Sequence, residues 1–155
     1  MNETEIKQLE MENYFAELMS VILAEGKTGM VPTLKPQFVN CSYPEKSITL
    51  KFKVAEWMIN PERIMFGGAM VSMLDNAYGF LGHYFAGENF ISTITLNTTF
   101  LKPAFLGDEI HVKVKAESAG RTIINMSGEV HDITTDTYIG TSQTSFMILD
   151  KKVKL

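Results

Sequence analysis

The stretch Phe66–Phe85 is the feature that most constrains how this chain can fold. It reads FGGAMVSMLDNAYGFLGHYF. Apolar groups cover most of the circumference of the helix that it predicts, whereas a surface helix shows an apolar stripe of only about 100°. These groups are Met70, Val71, Met73, Leu74, Ala77, Tyr78, Phe80, Leu81, Tyr84 and Phe85. The sequence therefore predicts one long buried helix around which the other elements pack.

Two polar features are set into this helix. Asp75 is a carboxylate among apolar neighbours, and an interior carboxylate must be hydrogen-bonded, paired or shifted in pKa. Gly67 and Gly68 begin the helix, where backbone N–H groups point outward at the positive end of its dipole. A second interpretation stays open, in which Asp75 is a solvated residue of a narrow polar stripe. That stripe would contain Ser72, Asp75, Asn76, Gly79 and His83.

Composition and charge exclude several classes of function. A length of 155 residues fits one domain, 1–155, and the net charge of −4 argues against nucleic acid as a partner. No apolar run approaches the roughly 18 residues of a membrane span, so we expect no membrane partner. The polar amino terminus is no secretory signal, and the lone Cys41 cannot form an internal disulfide. These features predict a cytoplasmic protein.

The remaining pattern predicts an α+β fold. A first helix is expected over residues 3–25, followed by a non-helical connector rich in proline and by a loop over 55–65. The apolar residues expected to pack this helix recur at three-to-five-residue steps: Ile6, Leu9, Tyr14, Leu18, Met19 and Ile22. Alternating apolar residues predict strands at 47–54, 91–101, 109–118, 121–133 and 137–149. The links between the later strands are short, so neighbours should pair antiparallel. We expect one antiparallel sheet wrapped around the central helix, with the N-terminal helix outside.

Four motifs resemble those of the hotdog-fold thioesterases, and within them the phenylacetate-pathway (PaaI-like) branch. They are Asn60, Gly67-Gly68 with Leu74-Asp75, the strand segment ITLNTTFLKPAFLGDEI, and Gly120-Arg121-Thr122. The resemblance covers roughly residues 40–149, the expected hotdog core, and leaves 1–30 as an N-terminal helix and connector. One position departs from the family, which usually has His-Gly-Gly where this chain has Phe66. That departure implies altered substrate choice or lost activity.

The resemblance also implies roles for individual residues. Asp75 would be the general base or nucleophile, and the Gly67 N–H would polarise the thioester carbonyl. Asn60 would position the substrate or the attacking water, and Thr93 would hold that water beside Asp75. A carboxylate suffices as the base because a thiolate leaves readily, and the chain has no Gly-x-Ser-x-Gly motif for a serine nucleophile.

Further residues are candidates for contact with the substrate. Phe66, Gly68 and Met70 lie near the helix start, where they would border the acyl group. Arg121 is a candidate for the phosphates of coenzyme A, although a solvated side chain is the alternative. No cofactor is expected beyond the coenzyme A that forms part of the substrate. No metal site is expected either, since the histidines have no partners at metal-ligand spacing.

The spacing of Gly67 and Asp75 predicts a dimer. Eight residues of helix separate them by about 12 Å along the axis, at about 1.5 Å per residue. Nucleophile and oxyanion donor must both come within about 3 Å of one reacting centre. A two-fold dimer with antiparallel central helices would bring Gly67 of one chain to Asp75 of the other. The resemblance implies the same assembly, a homodimer or a pair of dimers with shared sites.

Three functions are consistent with these residues. The first is hydrolysis of acyl-coenzyme A thioesters to free acid and coenzyme A. The second is a hotdog dehydratase or hydratase, which resembles the chain less because Phe66 occupies the expected histidine position. The third is a non-catalytic protein that binds or senses acyl thioesters. Release of free thiol from a panel of acyl thioesters separates the first from the third.

Overall fold

A computed structural model describes residues 1–150 of the chain. Within this range, three α-helices and six strands form the fold, with a short 3-10 turn at Glu56–Met58. The helices are α1 (Glu3–Ile22), α2 (Met30–Leu34) and α3 (Gly67–Ala86). The strands are β1 (Gln37–Ser42), β2 (Ser47–Lys53), β3 (Phe90–Phe100), β4 (Glu109–Ala119), β5 (Ile123–Asp132) and β6 (Thr137–Leu149).

The strands form a single antiparallel sheet in the order β1-β2-β4-β5-β6-β3. Helix α3 packs against five of them, β2 to β6, so the sheet wraps around the central helix as the sequence predicts. On β4 the side chains of Ile110, Val112 and Val114 are fully buried, while the residues between them are part-exposed. This alternation follows from the two-residue period of a strand. The antiparallel sheet, the long central helix and the N-terminal helix together confirm the predicted α+β hotdog architecture.

The N-terminal helix differs from its prediction in length and in its buried face. Its last residue is Ile22, short of the expected residue 25, and Leu23 caps it. The buried side chains are Met11, Phe15 and Met19, spaced four residues apart, whereas the predicted face included Ile6 and Leu9, which are exposed. Residues four apart share one face of a helix, and this face packs against β1.

The connector after α1 was wrongly predicted to be non-helical. Helix α2 runs through Pro32, which the first turn tolerates because its N–H would have no intrahelical acceptor there. Strand β1 was missed altogether, since Cys41 is its only buried residue and the pattern does not alternate. The predicted loop over 55–65 contains the 3-10 turn. Within residues 1–150, no helix is long and apolar enough to cross a membrane.

Candidate active site

Asp75 lies on the third turn of α3 and is exposed in the single chain. The Thr93 hydroxyl on β3 donates a hydrogen bond to Asp75 Oδ1 at 2.9 Å. The structure therefore brings together two of the predicted catalytic residues, from a helix and from a strand 18 positions further along the chain. The side of α3 that carries Asp75 is not covered by the rest of the chain. In the isolated chain Asp75 is therefore a residue of the polar stripe and not of the core.

A cavity of about 370 Å³ opens beside Asp75, between α3 and the N-terminal helices. Its apolar lining comes from α1, α2 and α3: Tyr14, Leu18, Ile22, Val31 and Phe80. Asn76 also lines it, is only 9% exposed, and has a side-chain oxygen with no hydrogen-bond partner within the described residues. Burial lowers the pKa of His83 at the far end, which favours a neutral imidazole.

The start of α3 keeps free donors. Its N-cap residue, Phe66, makes no side-chain cap, and the Ala69 N–H already donates to the Phe66 carbonyl at 2.9 Å. The N–H groups of Gly67 and Gly68 have no acceptor inside the helix, because the first turn lacks preceding carbonyls. This helix end is therefore available to an oxyanion or a polarised carbonyl.

Two aromatic rings explain why glycines occupy the helix start. A Cβ atom at Gly67 would lie 3.3 Å from the ring of Phe100, and one at Gly68 would lie 2.5 Å from the ring of Phe66. The second distance is too short for any real Cβ, so the Phe66 ring lies directly over Gly68. Both phenylalanines remain more than half exposed. The two rings flank the Gly67 and Gly68 N–H groups and leave them accessible.

Asn60 lines two cavities at this end of the helix. One, of about 530 Å³, also contains Phe66, Gly68 and Trp57, and the other, of about 390 Å³, contains Gly67 and Met70. The Asn60 side-chain oxygen accepts a hydrogen bond from the Ile64 N–H at 3.2 Å, as is typical of an asparagine in a turn. That bond fixes the side chain at the entrance to both cavities.

The two groups of candidate residues stay apart within one chain. Asn60, Phe66, Gly67, Gly68 and Met70 gather at the start of α3, while Asp75 and Thr93 lie two turns further on. Helix α3 is continuous from Gly67 to Ala86, so the separation of about 12 Å along its axis stands. One subunit alone therefore does not bring the Asp75 carboxylate and the Gly67 N–H to the same atom of a bound molecule.

Arg121 lies exposed in the β4–β5 turn, at the opposite end of β4 from Glu109. The 11 residues of that strand span about 36 Å at about 3.3 Å per residue, so Arg121 is remote from the sheet end near Gly67. His131 pairs with Asp136 at 2.9 Å and His111 with Glu109 at 3.6 Å. Within residues 1–150, no group of three or more His, Cys, Asp or Glu residues is arranged to hold a metal.

Sequence reasoning missed some residues that line these cavities. Trp57, the chain's one tryptophan, lies just before the Asn60-Pro61 turn and lines the cavity of about 530 Å³. Tyr14 and Leu18 were assigned only to helix packing, yet they border the cavity beside Asp75. A single exposed tryptophan in a loop was a usable signal for Trp57. No signal in the sequence could place α1 beside Asp75.

Comparison with known proteins identifies a family that the chain resembles in sequence. A model of the thioesterase superfamily matches residues 63–139, which include the start of α3, Asp75 and Thr93. None of the curated proteins compared with the chain matches it significantly.

Solved structures share the fold. One is a phenylacetic acid degradation-related protein from Ralstonia eutropha, at 24% identity and a TM-score of 0.72, covering 86% of this chain and 98% of that one. The E. coli PaaI protein of the phenylacetic acid degradation operon has 13% identity and a TM-score of 0.74, with coverages of 90% and 95%. A Streptococcus mutans protein bound to acetyl CoA has 15% identity and a TM-score of 0.66, with coverages of 76% and 91%.

Proposed function

The chain belongs to the thioesterase superfamily, and from that premise we propose that it hydrolyses acyl-coenzyme A thioesters at a site shared between two subunits. The superfamily is described by thioester hydrolysis, which supports this activity for the chain. The acetyl CoA held by the Streptococcus mutans neighbour supports coenzyme A as the thiol part of the substrate. The shared folds of the two phenylacetic acid degradation proteins support a PaaI-like enzyme, for which we propose a cytoplasmic location.

The proposed reaction uses one water and no cofactor. Asp75 takes a proton as the water oxygen bonds to the thioester carbon, and the carbonyl oxygen becomes an oxyanion that accepts from the Gly67 N–H. The C–S bond then breaks, and the coenzyme A thiolate leaves and is protonated. A single oxyanion donor of this kind is worth about 10²–10³ in rate. If Asp75 attacks directly, the same water hydrolyses the resulting anhydride.

The exposed edge of the sheet supports the dimer. Among the strands of residues 1–150, β3 pairs only with β6, and most of its 11 residues are exposed, including Ile94 at 48%. A long edge strand with free N–H and C=O groups pairs readily with another strand. Pairing two β3 edges about a two-fold axis places the α3 helices side by side and antiparallel. In that arrangement Asp75, held by Thr93 on β3, approaches the Gly67 end of the partner's helix.

The other candidate residues have supporting roles in this proposal. Asn60 orients the substrate or the water at the helix start, and Thr93 orients the Asp75 carboxylate through its 2.9 Å hydrogen bond. Phe66, Gly68 and Met70 border the acyl part of the substrate. Arg121 contacts the phosphates of coenzyme A. Because Arg121 is remote from Gly67 of its own chain, a substrate held at that glycine would meet it across the dimer. The assembly is a homodimer or a pair of dimers.

One observation carries the proposal most strongly: the exposed Asp75 that accepts from Thr93, on the same helix as uncapped glycine donors. The test is free thiol release from coenzyme A thioesters with aryl, short and long acyl groups. We expect the wild-type protein to release thiol from at least one class. Asp75→Asn should lower turnover by about 10²–10⁴, the range for loss of a general base, because the amide keeps the shape and the Thr93 contact.

Asp136→Asn is the matched control. Asp136 is an exposed carboxylate in the β5–β6 turn, so its loss should leave turnover unchanged. Equal rates for wild type and Asp75→Asn would contradict the role of Asp75. No thiol release from any substrate would refute the hydrolase. The non-catalytic binder would then remain, and the exposed Phe66 at the family's histidine position would favour it.

A further inference from the structure

Three lysines line a cavity of about 770 Å³ that also borders Trp57 and contains no residue of α3. Lys35 follows the last residue of α2, while Lys51 and Lys53 lie two positions apart on β2 and so share one face of that strand. We call these three lysines, together with Trp57, the lysine groove. Buried apolar residues also line the cavity, among them Phe52, Val54 and Met58.

The charge of the lysine groove contrasts with the rest of the molecule. The whole chain has a net charge of −4, yet three ammonium groups here face one carboxylate, Glu109. Lys51 pairs with Glu109 at 3.5 Å, and His111 is 3.6 Å from the same carboxylate. Within residues 1–150, neither Lys35 nor Lys53 forms a salt bridge. Two ammonium groups at the same cavity are therefore left to attract an anion.

Trp57 connects this cavity with the candidate active site. Its indole is 52% exposed and lines both the cavity of about 770 Å³ and the one of about 530 Å³ that contains Asn60 and Gly68. Met58 also lines both, so the two cavities are neighbours. An exposed indole face next to lysines suits a purine ring with phosphates, because bases stack on aromatic side chains and ammonium groups attract phosphates.

We propose that the lysine groove binds the phosphorylated nucleotide end of the coenzyme A thioester. This inference rests on the proposed function and adds to it the site that holds the nucleotide. Coenzyme A has its phosphates and adenine at one end and its thiol at the other, joined by the uncharged pantetheine arm. With the nucleotide in the lysine groove, the arm passes Trp57 and Met58, and the thioester reaches Asn60 and the Gly67 N–H.

The test uses Trp57 as its own reporter, because it is the only tryptophan in the chain. The fluorescence of the intact protein is titrated with free coenzyme A, adenosine 3′,5′-bisphosphate, pantetheine and inorganic phosphate. We expect saturable changes with the first two ligands, weakening as salt is raised, since salt screens charges at an open surface. Pantetheine and inorganic phosphate at the same concentrations should give little change.

The double variant Lys35→Gln/Lys53→Gln removes both unpaired charges while keeping long polar side chains. It should raise the dissociation constants of coenzyme A and adenosine 3′,5′-bisphosphate at least about tenfold, and leave pantetheine unaffected. The matched control is Lys113→Gln/Lys115→Gln, on β4, which border a different cavity and pair with Glu45 and Glu117.

The inference is overturned if coenzyme A leaves the Trp57 fluorescence unchanged, or if the control pair weakens binding as much as the lysine variant. Equal binding of inorganic phosphate would show an unselective anion site and would overturn the nucleotide assignment. Binding is read without turnover, so the hydrolase can fail while the groove stands. Conversely, an active enzyme whose KM for a coenzyme A thioester is unchanged in the lysine variant would refute the groove alone.

Discussion

Phe66→His tests whether the residue at the family's histidine position serves the substrate or the core. Phe66 is 59% exposed, and its ring covers Gly68. A fully covered phenylalanine buries about 150–250 Å², so the covered fraction here is about 80 Å², or about 2 kcal/mol at about 25 cal/mol/Å². An imidazole keeps roughly half of this contact, so the variant should lose about 1 kcal/mol and about 2–4 °C in Tm.

The same variant should change kcat or the order of preferred acyl groups, because Phe66 borders the cavity that contains Asn60. Thermal unfolding and thiol release from the acyl panel measure the two effects. Phe100→His is the matched control, since Phe100 is similarly exposed and lies against Gly67 from the other side. A fall in Tm of more than about 10 °C would show that Phe66 is mainly a packing residue. Unchanged rates and preferences would refute its contact with substrate.

Three further predictions concern the scaffold. Burial and the neighbouring Asp132 raise the pKa of Asp108, so the folded chain holds this proton more tightly than the unfolded chain and loses stability as pH rises through that pKa. The Tm of Asp108→Asn minus that of the wild type should therefore be larger at pH 8 than at pH 4. An equal difference at the two pH values would contradict this. Gly128→Ala should cost about 1–3 kcal/mol in urea unfolding, because its Cβ would lie 2.8 Å from the buried Tyr78 hydroxyl oxygen, and an unchanged midpoint would refute that packing. Ile94→Lys on the β3 edge should give monomers in analytical ultracentrifugation, whereas Ile133→Lys in a turn should not; persistent dimers would place the interface elsewhere.

The fold was predictable because its main signals are local. The alternation of Ile110, Val112 and Val114 on β4 follows directly from the two-residue period of a strand. The apolar circumference of the segment that became α3 likewise marked a central helix. Strand β1 has no such signal, because it is an edge strand with one buried residue, Cys41. Its position depends on pairing with β2 and on cover from α1, which no local pattern encodes.

The candidate site was predictable only in part, for a related reason. The family resemblance pointed to Asp75 and Thr93 together, and the structure joins them by a hydrogen bond. The exposure of Asp75 could not be read from the sequence, since the same helical positions fit a buried acid and a polar stripe. The lysine groove was also missed, because Lys35 and Lys53 are brought to one cavity by the turn after α2 and by the strand pairing of β2.

The central claim is that base and oxyanion donor come from different subunits, and subunit mixing tests it most directly. Asp75→Asn and Asn60→Ala are prepared separately, each nearly inactive, and their subunits are then exchanged. In a mixed dimer one site receives both intact residues and the other receives both lesions. Random exchange makes about half of the dimers mixed, with one good site of two, so thiol release should return to about a quarter of the wild-type rate. Proven exchange without any recovery would place the whole site within one chain and contradict the shared site.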